Sequence, residues 1–424
     1  MNRYNKFKNG ILPMTLINFA IGSVYCWTLF KEDILATTSF SAPALEWAFS
    51  LALFILGMSA AFGGRLVEKS PKRSAWLTFV FFTTGWILTG VSIQTNQAWL
   101  LILGFGVVQG IGLGLGYITP VKTMMIWMQD KKGFAAGLSI TAFGLAGVIA
   151  NPIIQWLLDS GLASYQVFYA LAAVYGVCLV IGAMLLHRPE YTEHDPVGVS
   201  ADKVNVRAVM LSPKFMFLWV VLFLNITGGL ALISHEKQIY LGELGYEGFH
   251  TLIMITATAN LLGRIILSYA QDKMQHKHTP YYLMIFASLA ATIVAFLVPG
   301  IIWTSFALIF TIQFMFGVGF ACNPEILRQN WGMKHLSTIQ GLMLTAWAIA
   351  GLVGNQVSNI FLYQTDLGLR GLYGALVVLY TVQLVSMLIW ARVAKREAET
   401  DVEDHGSPSE SPHGLHEEHV AMLD

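Results

Sequence analysis

The chain has 424 residues, no net formal charge, and 12% charged side chains against 55% apolar ones. Soluble domains carry about 25% charged residues, so an ordinary soluble core is excluded and lipid-facing surface is needed to explain the deficit. A neutral balance gives nucleic acid nothing to bind.

Met1 to Gly10 is short and basic, and the apolar segment from Ile11 is longer than a signal h-region. It reads as the first of twelve spans, each needing roughly 20 mostly apolar residues. The pattern predicts spans near 11–31, 44–64, 75–94, 98–127, 134–157, 164–186, 215–238, 249–270, 280–299, 302–327, 338–362 and 371–391. Lys and Arg mark the cytoplasmic side. With the N-terminus inside, 19 of the 25 fall in cytoplasmic stretches and only Lys31 and Arg370 in outer loops, so both termini are expected inside.

The polar stretch 187–214 interrupts the pattern at its midpoint and reads as a cytoplasmic linker. It separates a six-helix bundle over 1–186 from a second over 215–396. From 397 to 424 the chain is acidic and rich in Ser, Pro and Gly, the composition of a disordered tail. Its His405, His413, His416 and His419 read as solvated side chains, not a metal site. Cys26, Cys178 and Cys322 lie inside apolar segments without metal or disulfide spacing. No metal or cofactor is expected. No nucleophile–base pair points to an enzyme.

A shift of 204 residues aligns the two halves. Gly137 to Asn151 and Gly341 to Asn355 are identical at 7 of 15 positions. The same shift pairs Pro120 with Pro324, Trp127 with Trp331, and Glu68-Lys69 with Asp272-Lys273. Six spans per copy make the repeats parallel. Carriers built this way bind substrate near the midplane between the halves and alternate access to it. The expected fold is therefore an all-α membrane protein of twelve helices in two parallel repeats.

Gly64-Arg65-Leu66-Val67-Glu68-Lys69-Ser70-Pro71-Lys72-Arg73 resembles the loop between helices 2 and 3 of the major facilitator superfamily, a cytoplasmic clasp. Narrower features resemble the oxalate/formate antiporters, cousins of the monocarboxylate transporters. These are Gly22 to Phe30 in helix 1, Gly112 to Pro120 in helix 4 and Asn260-Leu261-Leu262-Gly263-Arg264 in helix 8. The resemblance implies a secondary transporter of small organic anions such as lactate, pyruvate, formate or oxalate. Three departures bear on coupling and charge. Gly106 stands where the superfamily has an Arg, Asn260 where monocarboxylate transporters have an Asp, and Thr345-Ala346-Trp347-Ala348 where the oxalate carrier has a second cation. The first two argue against proton symport through the usual groups, the third against a dianion.

Arg264 is the sharpest candidate, since a charged side chain inside a span marks a functional site by default. Its guanidinium suits a carboxylate through two parallel hydrogen bonds. Tyr25 and Trp27 in helix 1, Tyr117 in helix 4, Trp347 in helix 11, Asn225 in helix 7 and Asn260 complete the expected substrate site. Lys122 and Glu325, each just after a repeat-related proline, are expected to pair as an inner gate, with Glu68 and Asp272 as clasp carboxylates. His235-Glu236-Lys237 closes helix 7 on the outer side and reads as a solvated helix end or as a pH-sensitive outer gate. The partners expected are a small carboxylate, the bilayer, and a coupled proton or a counter-transported anion. The chain is expected to act as a monomer in a cell membrane, a bacterial inner membrane. The competing readings are an efflux carrier for another solute and a non-transporting membrane sensor.

Overall fold

The computed structural model describes residues 3–189 and 205–404. Twelve helices are long and apolar enough to cross a membrane: α1 Tyr4–Lys31, α2 Ala42–Lys69, α3 Pro71–Thr95, α4 Ala98–Trp127, α5 Gln129–Asp159, α6 Ser164–Leu185, α7 Pro213–Ile233, α8 Phe249–Gln271, α9 Thr279–Leu297, α10 Ile302–Trp331, α11 Leu336–Gln364 and α12, which begins at Gly368. No strand occurs among the described residues. Most of the predicted linker, 190–204, and the last part of the predicted tail, 405–424, lie outside them. The first part of that tail is helical, because α12 continues to Asp404.

The boundaries follow local chemistry. Ser70 and Ser212 accept from the N–H groups of Arg73 and Phe215, each followed by a proline that starts the helix without needing a donor. Asn96, at φ 55°, turns the chain between α3 and α4, a conformation Asn tolerates better than most residues. Helix α1 tightens to 3₁₀ over Ser23–Cys26, and α4 widens to π geometry over Ile102–Val108 after a first α turn at Ala98–Leu101. Helix α7 ends at Ile233, short of the predicted 238, and a π turn over Gln238–Glu243 follows. Helix α11 is broken at Leu344, between Leu336–Met343 and Thr345–Asn359.

Apolar side chains stay exposed in helical rows, for example Val148 and Ile149 of α5 and Val378, Val382 and Val385 of α12. In water such rows would be a liability. Here they are the lipid-facing surface, and the helices satisfy their own backbone groups.

The chain forms two compact units. One holds residues 1–192 together with 333–352, and the other holds 193–332 with 353–424. In the first unit an aromatic core joins Trp27, Phe105, Phe168, Trp86 and Tyr175, with Trp27 and Phe105 centroids 4.1 Å apart. The inner part of α11 belongs to this unit because small residues let it lie directly on α2. A methyl on Gly341 would overlap the carbonyl of Ala60, one on Gly64 the Cα of Thr338, and one on Gly57 the backbone at Leu344. Small residues of this kind let membrane helices approach to van der Waals contact. In the second unit Tyr240, Tyr373, Tyr380, Ile309 and Ile312 pack in one core. There α8 and α10 approach closely, since a side chain at Gly263 or Gly317 would strike the facing backbone.

Candidate functional site

The close approach of α8 and α10 places polar side chains of the second unit in one hydrogen-bonded row. Arg264 is 5% exposed, and its Nε donates to Asn260 Oδ1, one turn away, at 3.0 Å. Asn260 Nδ2 donates to Gln313 Oε1 at 2.8 Å, and Gln313 Nε2 donates to Glu236 Oε1 at 2.7 Å. Thr256 Oγ1 lies 2.8 Å from the other oxygen of Glu236 and 3.0 Å from the carbonyl of Ile253. Three donors therefore run head to tail from the guanidinium to the carboxyl. Gly317 makes this possible, since a larger residue would meet the Asn260 carbonyl and the Arg264 side chain.

Glu236 follows the end of α7 at Ile233 and is only 4% exposed. It is not the solvated helix end expected from the sequence. After a two-residue turn at Ser234 and His235 the chain resumes helical geometry, and Glu236 is bonded to α8 through Thr256 and to α10 through Gln313. Burial pushes its carboxyl up to about 7, with the Gln313 and Thr256 hydrogen bonds opposing that rise. Asn225 is buried, and its Nδ2 meets the backbone of α10 at Gly319.

In the first unit the 3₁₀ stretch of α1 presents Tyr25 edge-on to Phe143, with centroids 5.6 Å apart. Tyr117 meets Phe143 at 5.2 Å and Trp347 at 5.5 Å, and Phe143 meets Trp347 at 6.2 Å, all near T-shaped. Phe143 and Trp347 are equivalents under the 204-residue shift. The break at Leu344 lies just ahead of Trp347. The structure does not bring Trp27 into this cluster. It is 1% exposed and stacks on Phe105 in the unit's apolar core.

The charges expected at the gate have partners within their own units. Lys122, 2% exposed, pairs with Glu68 and donates to the Lys334 carbonyl at 2.8 Å. Glu68 Oε1 also accepts the backbone N–H of Ser337 at 2.6 Å and of Thr338 at 3.4 Å, at the start of α11. Glu325 takes two hydrogen bonds from Arg328 on its own helix, both at 2.8 Å. Within its own unit, Lys122 therefore has Glu68 as a partner and Glu325 has Arg328. Glu68 reaches Lys122 because α2 and α4 are adjacent, and Arg328 lies one turn from Glu325. Asp272 closes α8, its carbonyl accepting from Lys277 Nζ at 3.1 Å. Among the described residues no group of three or more His, Cys, Asp or Glu side chains could hold a metal ion.

Sequence reasoning missed Gln313 and Thr256 and undervalued Glu236. An amide within the mainly apolar first two thirds of α10 was the available signal for Gln313. Its pairing to Glu236 depends on where α7 ends, which hydropathy does not resolve.

Twelve apolar helices carrying buried charges and a hydrogen-bonded polar row define a multi-pass membrane transporter architecture. Comparison with known proteins agrees. Residues 11–355 match the model of the Major Facilitator Superfamily, and the chain belongs to that family. It is 26% identical over 351 residues to the MFS-type transporter YhjX of Escherichia coli (strain K12), covering 81% of this chain and 85% of that protein. It is 25% identical over 229 residues to the oxalate:formate antiporter of Oxalobacter formigenes, covering 53% of each. Monocarboxylate transporter 13 of Bos taurus is 24% identical, covering 80% of this chain and 78% of its own. Among solved structures, the transporter FucP in the outward conformation superposes with a TM-score of 0.65 at 14% identity, covering 89% of this chain and 97% of that one. A bacterial homologue of ferroportin in the outward-facing state gives 0.66 at 13%, covering 90% and 98%. Both show the fold alone.

Proposed function

We propose that this transporter carries small monocarboxylates, with Arg264 as the residue that binds the carboxylate. The observation that carries the reading is a guanidinium buried within α8 and held by its Nε on Asn260. That bond fixes the plane of the fork, so the terminal nitrogens are pre-oriented for a planar anion. The names of two relatives, an oxalate:formate antiporter and a monocarboxylate transporter, support the substrate class. Asn225 and Asn260 are the polar lining proposed for the second unit, and Tyr25, Tyr117 and Trp347, gathered around Phe143, are the aromatic group proposed for the first. The distribution of Lys and Arg supports cytoplasmic termini, and the Escherichia coli relative supports a bacterial inner membrane.

The test is uptake of labelled pyruvate into proteoliposomes. Arg264→Ala abolishes it at normal expression, and Arg264→Lys fails badly because an ammonium lacks the fork. Uptake by Arg264→Ala close to wild type removes Arg264 from the site.

A further inference from the structure

We propose that Glu236 is the proton site of this carrier, and that its protonation is coupled to substrate loading at Arg264 through Asn260 and Gln313. The inference rests on the reading of Arg264 as the anion-binding residue.

The first support is that the site accommodates both protonation states without leaving a buried polar atom unsatisfied. When Glu236 is charged, Gln313 donates to one oxygen and Thr256 to the other. When a proton from solution adds to the Thr256-facing oxygen, that O–H donates to Thr256 Oγ1. The threonine proton then turns to the Ile253 carbonyl, already 3.0 Å away. Gln313 keeps its bond in either case. A buried group that exchanged protons without such an alternative acceptor would cost the desolvation of an unpaired polar atom.

The second support is the direction of the row. Arg264 donates to Asn260, Asn260 to Gln313, and Gln313 to Glu236. Hydrogen bonds in series polarise one another, so the positive guanidinium favours the carboxylate at the far end. A substrate anion on the guanidinium cancels that influence, and the proton affinity of Glu236 rises. A monoanion and a proton then load together without net charge. The carboxyl already lies near neutrality in its range, where a modest change of field alters its occupancy.

The other charged or titratable groups around Glu236 are accounted for. Tyr240 is one turn on, and Tyr373 of α12 lies beside it. Lys237 has its ammonium 5.9 Å over the Phe249 ring, and the His235 imidazole lies 3.0 Å from Asn359 Oδ1. Arg264 stands behind the two amides.

The experiment uses purified full-length protein in weakly buffered detergent solution with a pH-sensitive dye, and pyruvate as the probe. Wild type takes up a proton as pyruvate binds, and its affinity tightens as pH falls, by at most about tenfold per pH unit. Glu236→Gln binds pyruvate with no proton uptake and with affinity independent of pH. His235→Gln behaves as wild type. Should Glu236→Gln not fold, Gln313→Leu serves: it keeps Glu236 but cuts the row, and proton uptake no longer accompanies binding. The proposal is overturned if wild type binds pyruvate through Arg264 without taking up a proton. It is equally overturned if Glu236→Gln or Gln313→Leu takes up the wild-type proton. If Arg264→Ala binds pyruvate as wild type does, the substrate reading itself has failed, and the coupling with it.

Discussion

Glu68 and Lys122 form a partly buried ion pair in which the same carboxylate also receives backbone N–H groups from the first turn of α11, those of Ser337 and Thr338. The carboxylate thus neutralises an ammonium and caps a helix at its positive end. Lys122 is buried, so removing the carboxylate strands its charge away from water, and removing the lysine leaves the carboxylate with only the α11 N–H groups. Lys122→Met and Glu68→Ala should each lower the melting temperature measured by tryptophan fluorescence. The double swap, Lys122→Glu with Glu68→Lys, should not restore stability, since a lysine at 68 cannot accept from Ser337. A swap as stable as wild type would show that the capping bonds contribute nothing.

The seam between α2 and α11 has no room for added atoms. Gly341→Leu or Gly64→Leu drives a side chain into facing backbone, an overpacking cost of about 1–3 kcal/mol. Pyruvate uptake should fall sharply while Gly147→Leu, where a methyl meets nothing within 4 Å, is tolerated. Equal activity of the seam and Gly147 variants would mean that the seam is not needed for transport.

Charge arithmetic predicts the preferred substrate. Among the described residues of the second unit, the buried cations are Arg264 and Arg328, and Arg328 already holds Glu325 with two hydrogen bonds. A dianion would bring more negative charge than the Arg264 guanidinium compensates, at a high desolvation cost. In competition against labelled pyruvate, lactate and formate should displace it better than oxalate. Stronger displacement by oxalate points to a further cation at the substrate.

His278, just before α9, is packed against the rings of His276, Tyr282 and Trp390. Burial first, and the neighbouring His276 second, lower its imidazole from 6.5 to about 4. The unfolded chain therefore binds a proton that the folded one refuses between those values. Stability rises with pH wherever the unfolded state binds more protons, so the melting temperature should fall as pH drops from 6.5 toward 4. His278→Phe should flatten that fall. An unchanged profile would place the acid sensitivity elsewhere.

The twelve helices were legible because a span needs a long apolar run, although the starts at Pro71 and Pro213 precede the 75 and 215 that hydropathy gives. Arg264 was legible because a charge inside a span is rare. The Lys122 partner was not, since depth along the chain is readable but lateral neighbours are not: Glu68 comes to Lys122 through the packing of α2 against α4. Glu236 was misread for a related reason. Its burial depends on Thr256 of α8 and Gln313 of α10 packing against it, and three charged or polar residues in a row look alike whether they face water or an adjacent amide.

The docking of Gly341 on Ala60 bears on how the two halves diverged. Under the 204-residue shift, Ala60 of the first half occupies the position of Arg264 in the second. An arginine at 60 would leave no space for the backbone of α11, and an alanine at 264 would leave the carrier without its guanidinium. Duplication supplied two copies of one helix. The same register thus holds a small residue against facing backbone in the first half and a buried charge in the second, so exchanging either residue for its counterpart disturbs a packing arrangement that its own half depends on.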